Sequence, residues 1–139
     1  MTRVYERRTG LDVLDRDECL DLIRTQQVGR IAIVEGGHPL VFPVNYLVDG
    51  EDVVFRTGEG TKLHAGNGSP ACFEVDVVDA EHRAGWSVMV QGRLEEVVPT
   101  DGVLFERAHA LPVDPWADVP KDHLMRVVSR TITGRRLRR

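Results

Sequence analysis

The sequence predicts a mainly β domain with short helices, built as an antiparallel barrel of about six strands. Three observations carry this prediction. Apolar and β-branched runs of strand length recur from Val28 onward, the turn sequences Glu35-Gly-Gly-His38 and Asp49-Gly-Glu-Asp52 join consecutive runs, and no regular alternation of strands with long helices occurs. Tight turns make neighbours antiparallel, because parallel strands need crossovers of a dozen residues or more.

The elements follow in order. Asp15 stands three residues before Glu18, as a helix-capping pair requires, and Cys19, Leu20 and Ile23 recur at helical spacing, so a helix is expected over roughly 16–26. Its apolar stripe should cover one end of the barrel. Val28–Val34, Pro39–Val48 and Val53–Thr57 then form a three-strand meander. Pro43 lacks an amide donor and marks an edge, a bulge or a place where the ladder opens. A short helix at about 61–66 leads to the strand Ala71–Val78, whose alternation sets Cys72, Glu74 and Asp76 on one face and Phe73, Val75 and Val77 on the other. Gly85–Val98 is long enough to serve two sheets if it bends near Gly92. Residues 100–110 read as a helix, 111–121 as a proline-rich loop holding Trp116, and Leu124–Thr133 as the closing strand. Residues 1–10 and 135–139 are expected to be terminal arms.

At 139 residues and 42% hydrophobic, the chain fits one domain, 1–139, with an ordinary core. No apolar stretch has the ~20 residues of a membrane helix, and the first residues lack the apolar segment of a signal peptide, so a cytoplasmic protein without membrane contact is expected. A net charge of -4 argues against nucleic acid as a partner. Arg135, Arg136, Arg138 and Arg139 read as a solvated basic tail. Cys19 and Cys72 form no C-x-x-C pair, and the five histidines show no H-x-x-x-H or H-E-x-x-H spacing, so no metal site is expected. Glu74 and Asp76 read as the solvated face of an edge strand.

The stretch Asp52-Val-Val-Phe-Arg-Thr-Gly-Glu-Gly-Thr-Lys-Leu63 carries the chemistry. A strand ends, a glycine-rich turn follows and a helix opens, an arrangement in which backbone N–H groups and a helix N-terminus converge on an anion. Arg56, Thr57, Thr61 and Lys62 add side-chain donors suited to a phosphate. The spacing G-x-x-x-x-G-K-[ST] is absent, which leaves a nucleoside triphosphatase reading with little support.

Four segments, Val28-Gly-Arg-Ile-Ala-Ile33, Pro43-Val-Asn-Tyr46, Val54-Phe-Arg-Thr57 with Gly60-Thr-Lys62, and Gly85-Trp-Ser-Val-Met-Val-Gln-Gly-Arg93, stand in an order that resembles the pyridoxamine 5'-phosphate oxidase-like family over roughly residues 11–134. The resemblance implies a six-stranded antiparallel split β-barrel of Greek-key type, a homodimer, and FMN held in clefts between the two copies. It implies that Arg56, Thr57, Thr61 and Lys62 hold the ribityl phosphate and that backbone groups of Pro43, Val44 and Asn45 border the flavin ring. Trp86 and Ser87 would come from the partner copy, the indole as an apolar wall and the hydroxyl as a donor; Arg135 can reach the flavin from the closing strand.

The implied function is that of an FMN-dependent oxidoreductase acting on a small-molecule substrate of unknown identity, with no catalytic side chain designated, since the redox chemistry belongs to the flavin. Alternatives on the same fold are a deazaflavin-dependent reductase and a non-catalytic flavin- or haem-binding module. Family members that oxidise pyridoxamine phosphate carry a carboxyl-terminal segment with tryptophan and arginines over the substrate. The residues up to Arg139 include no such segment, and Arg56 replaces an aromatic residue, so vitamin B6 oxidation is not expected.

Overall fold

A computed structural model describes residues 4–6, 10–58, 67–113, 115–117 and 123–138. The strands are β1 (Val4–Glu6), β2 (Leu11–Leu14), β3 (Val28–Glu35), β4 (His38–Asp49), β5 (Asp52–Thr57), β6 (Pro70–Asp79), β7 (Ala84–Glu96) and β8 (His123–Leu137); the helices are α1 (Arg16–Ile23) and α2 (Val103–His109). All pairings among them are antiparallel.

The sheet runs β1-β2-β8-β5-β4-β3-β6-β7, and a further β7–β8 pairing closes six strands, β3 to β8, into a ring. These six are the strands expected from the sequence. β6 returns beside β3 after the β3-β4-β5 meander, giving the spatial order of a Greek key. The short β1 and β2 are added at the far edge of β8 and were not anticipated, because three and four residues are too few to show a period.

The ring is incomplete where β5 joins its neighbours. This six-residue strand pairs with β4 only over Tyr46–Asp49 and with β8 only over His123–Val127. Residues 38–45 of β4 pair with β3 alone, so Pro43 lies where one side of the ladder is open. The edge of β8 facing away from β7 meets β5 and then, from Gly134, β2. Between those ladders the Asp52 carboxylate accepts the Ser129 amide at 3.0 Å.

Alternation along the strands fills the interior with Ile31, Ile33, Phe55, Phe73, Val75, Val88, Val90, Leu94 and Met125. Leu20, Ile23 and Cys19 of α1 join the same core, so the helix plugs the barrel end. The Tyr46 ring meets Phe73 edge-on at 4.8 Å and its hydroxyl donates to the Ile23 carbonyl, tying α1 to β4 and β6. A smaller outer cluster forms where α2 lays Ala108, Leu104 and Phe105 over Val54 and Leu124.

Several expectations are corrected in detail. α1 ends at Ile23, and Thr25 donates its hydroxyl to the Leu22 carbonyl instead of extending the helix. The helix expected over 100–110 is a 3-10 turn, Pro99–Asp101, followed by α2, because Gly102 adopts φ 62 between them. β8 runs to Leu137 and pairs its end with β2 and β7, so Arg135 and Arg136 belong to a central strand and form no solvated tail. β6 is flanked by β3 and β7, so Glu74 and Asp76 do not stand on an edge strand. The helix expected at 61–66 lies outside the described residues.

Candidate functional site

Two groups of residues emerge. The first lies at the open β4 edge. Val44 is buried, Pro43 is exposed, and the Asn45 side-chain oxygen accepts the Trp116 amide at 2.8 Å. Gln27, Asn45, Leu47, Pro112 and Trp116 line a cavity of about 170 Å³ there. Of the loop expected over 111–121, Pro112 and Trp116 therefore lie against this edge, with the Trp116 side chain largely in solvent. On β5, Arg56 sits opposite Leu124 and donates to the His109 carbonyl at 3.3 Å, while Thr57 is buried opposite His123. The His123 ring lies 2.8 Å from the Glu96 carboxylate. Thr61 and Lys62 lie outside the described residues.

The second group is at the β6–β7–β8 end. Asp76, Ser87 and Arg135 are partners across three adjacent strands, and with Trp86 and Leu137 they line an open groove of about 460 Å³. One chain therefore does not gather all the predicted residues. Three strand-to-strand steps separate β4 from β7 through β3 and β6, about 14 Å along the sheet at the usual ~4.8 Å spacing.

Asp76 and its neighbour Glu74 are the residues that sequence reasoning undervalued. Arg30 Nη1 lies 3.7 Å from Glu74 Oε1 and 3.8 Å from Asp76 Oδ2. Burial pushes the Glu74 carboxyl up to about 7; a hydrogen bond with Asp76 and its charge add to the rise, and Arg30 opposes it. Only the β3–β6–β7 register could have revealed this, since the local pattern is that of any half-polar strand. Burial likewise raises the Cys19 thiol to about 11 and the Cys72 thiol above its ordinary value, away from nucleophilic chemistry. Among the described residues no group of three or more His, Cys, Asp or Glu side chains is placed to hold a metal, and no helix is long and apolar enough to cross a membrane.

Set against known proteins, residues 15–136 match the family model described as pyridoxamine 5'-phosphate oxidase. The chain belongs to this family. An uncharacterized protein of Mycobacterium tuberculosis is 30% identical over 131 residues, 89% of this chain and 84% of its own length. Among solved structures, an FAD binding protein from Mycobacterium smegmatis superposes with a TM-score of 0.77 at 36% identity, covering 91% of this chain and 99% of that one. An FAD-binding protein from Mesorhizobium loti gives a TM-score of 0.73 at 25% identity, covering 91% and 97%. The family relationship and the split ring of strands agree, and the relatives share nearly the whole chain.

Proposed function

We propose that the protein is a flavin-dependent oxidoreductase that binds its cofactor between two copies of the chain. The observation that carries this is the division of the candidate residues into two groups on one family-defined fold. Pro43, Val44, Asn45, Arg56 and Thr57 form one half of a cleft, and Trp86, Ser87 and Arg135 of a second copy form the other. Thr61 and Lys62 follow Thr57 closely enough in sequence to reach the same phosphate.

The residues account for the part that FMN and FAD have in common, from the flavin ring to the first phosphate. FMN is the cofactor implied by the sequence resemblance, and the two FAD-binding relatives favour the dinucleotide. The bound flavin would pass electrons between a nicotinamide or another donor and a small acceptor; the chain would orient the ring and neutralise the phosphate.

The test is an absorption spectrum of the freshly purified protein followed by titration with FMN, FAD and the deazaflavin coenzyme. Saturable binding of FMN or FAD at one per chain, followed by turnover with a reduced nicotinamide, supports the reading. Preference for the deazaflavin moves the protein to a different branch, and tight binding without turnover makes it a carrier. Lys62→Ala should weaken flavin binding by about 1.5–3 kcal/mol if the ammonium holds the phosphate.

A further inference from the structure

Thr57 is the last residue of β5 and pairs with His123, the first residue of β8, so the two form the terminal rung of that ladder. Terminal rungs fray first, because ladder neighbours support them on one side only. Alternation sets both residues on the inward face with Phe55 and Met125, and direct cross-strand partners share a face. The β7–β8 ladder gives no rung at this level, since it ends at Glu96 opposite Met125.

A side chain takes over where that ladder stops. Glu96 Oε1 and Oε2 lie 2.8 and 3.3 Å from His123 Nδ1. An ionised carboxylate only accepts, so Nδ1 carries the hydrogen and donates to it. The His123 and Glu96 side chains are 22% and 12% exposed, so water screens this bond little. Glu96 also acts through its backbone: its amide donates to Asn67 Oδ1 at 2.8 Å, while Leu94, two residues before it, accepts the Gly68 amide at 2.6 Å and donates to the Ser69 carbonyl at 2.8 Å. The glycine-rich stretch lies in sequence between Thr57 and Asn67. One residue of β7 is therefore tied to the chain on both sides of it, to Asn67 directly and to the Thr57 rung through His123.

We infer that Glu96 and His123 are positioning residues for the flavin phosphate: Glu96 holds the imidazole, and the imidazole fixes Thr57 beside it as a phosphate donor. The inference rests on the flavin reading above and adds two residues that act through Thr57. A threonine hydroxyl points where χ1 sends it, and the neighbours on its face select that rotamer. With the ring gone, Thr57 gains other rotamers and its rung frays, so part of the binding free energy goes into ordering the donor.

The experiment is a double-mutant cycle on the full chain, read as the Kd of FMN and of FAD by flavin fluorescence quenching. Thr57→Val and His123→Ala should each raise the Kd about tenfold, the loss expected of one misplaced hydrogen bond to a charged group. The double variant should bind no more weakly than Thr57→Val alone, because the second change removes an effect already lost. His123→Asn, whose amide takes the place of Nδ1 and donates to Glu96, should recover most of the affinity. Thermal midpoints and circular dichroism report folding; if His123→Ala does not fold, His123→Gln, whose amide sits farther out, replaces it in the cycle with the same result expected. An unchanged Kd in either single variant overturns the inference, as do losses that multiply to about a hundredfold in the double variant, which would make the two residues independent. Absence of recovery in His123→Asn overturns the Nδ1 clamp. In each of these cases a wild-type chain that binds flavin leaves the flavin reading standing, whereas a wild-type chain that binds neither FMN nor FAD overturns both.

Discussion

Gly29 has no room for a methyl group: a Cβ there would lie 2.3 Å from Phe73 Cζ. Phe73 is fully buried and anchors the ring contact with Tyr46, so it cannot swing aside without emptying the core. Gly29→Ala should cost about 1–3 kcal/mol in a urea unfolding titration, the usual penalty of overpacking. Glu74 offers a second test, through pH. Its carboxyl is raised from 4.5 to about 7 in the folded chain, so the fold binds the proton more tightly than the unfolded chain does. The stabilisation is complete below about 4.5 and is lost as pH rises through about 7. Thermal midpoints should fall across that window, and Glu74→Gln should flatten the fall. The sequence showed the Glu74–Asp76 alternation but assigned it to solvent, because burial by β3 and β7 is a property of the register.

The helix α1 is the element most legible from local sequence. Asp15 accepts the Glu18 amide at 2.9 Å, and the Glu18 carboxylate accepts the Asp15 amide at 3.3 Å, the reciprocal box that the spacing announced. Asp15→Ala should lower stability by about 1 kcal/mol, read from the shift in thermal or urea midpoint at constant m-value. The hairpins were equally legible: Gly36, Gly37 and Gly50 all take positive φ in turns joining the β3-β4-β5 meander. Long β7 shows a register shift between Gln91 and Gly92, where the sequence suggested a bend. A Cβ at Gly92 would stand 1.8 Å from the Val128 carbonyl oxygen, which makes the bulge a backbone contact that only glycine permits. The extension of β8 to Leu137 was not legible, because arginines beyond Gly134 read as a solvated tail until β2 and β7 are seen to pair with them.

At the scale of the molecule, the proposed cofactor site belongs to neither chain alone. If one copy supplies the phosphate side and the other Trp86 with Ser87, then Lys62→Ala and Trp86→Ala proteins should each bind flavin poorly. Mixed in equal amounts under subunit exchange, they should recover about a quarter of the wild-type sites, since half the dimers are mixed and each holds one intact cleft. Fluorescence quenching of added flavin measures the recovery; no gain on mixing would mean that each cleft is built within a single chain. The sequence by itself determined the barrel class, the six ring strands, the capped plug helix and the family, because periodicity, caps, turns and motif order are written in local spacing. Only the tertiary structure decided that β5 is too short to seal the ring, that the described candidate residues fall into two groups, one on β4 and β5 and one toward the far ends of β7 and β8, and that Glu74 and Asp76 lie within the sheet. Those facts depend on which strands pair and at what register, and pairing is set by burial across the whole chain, which short-range pattern does not record.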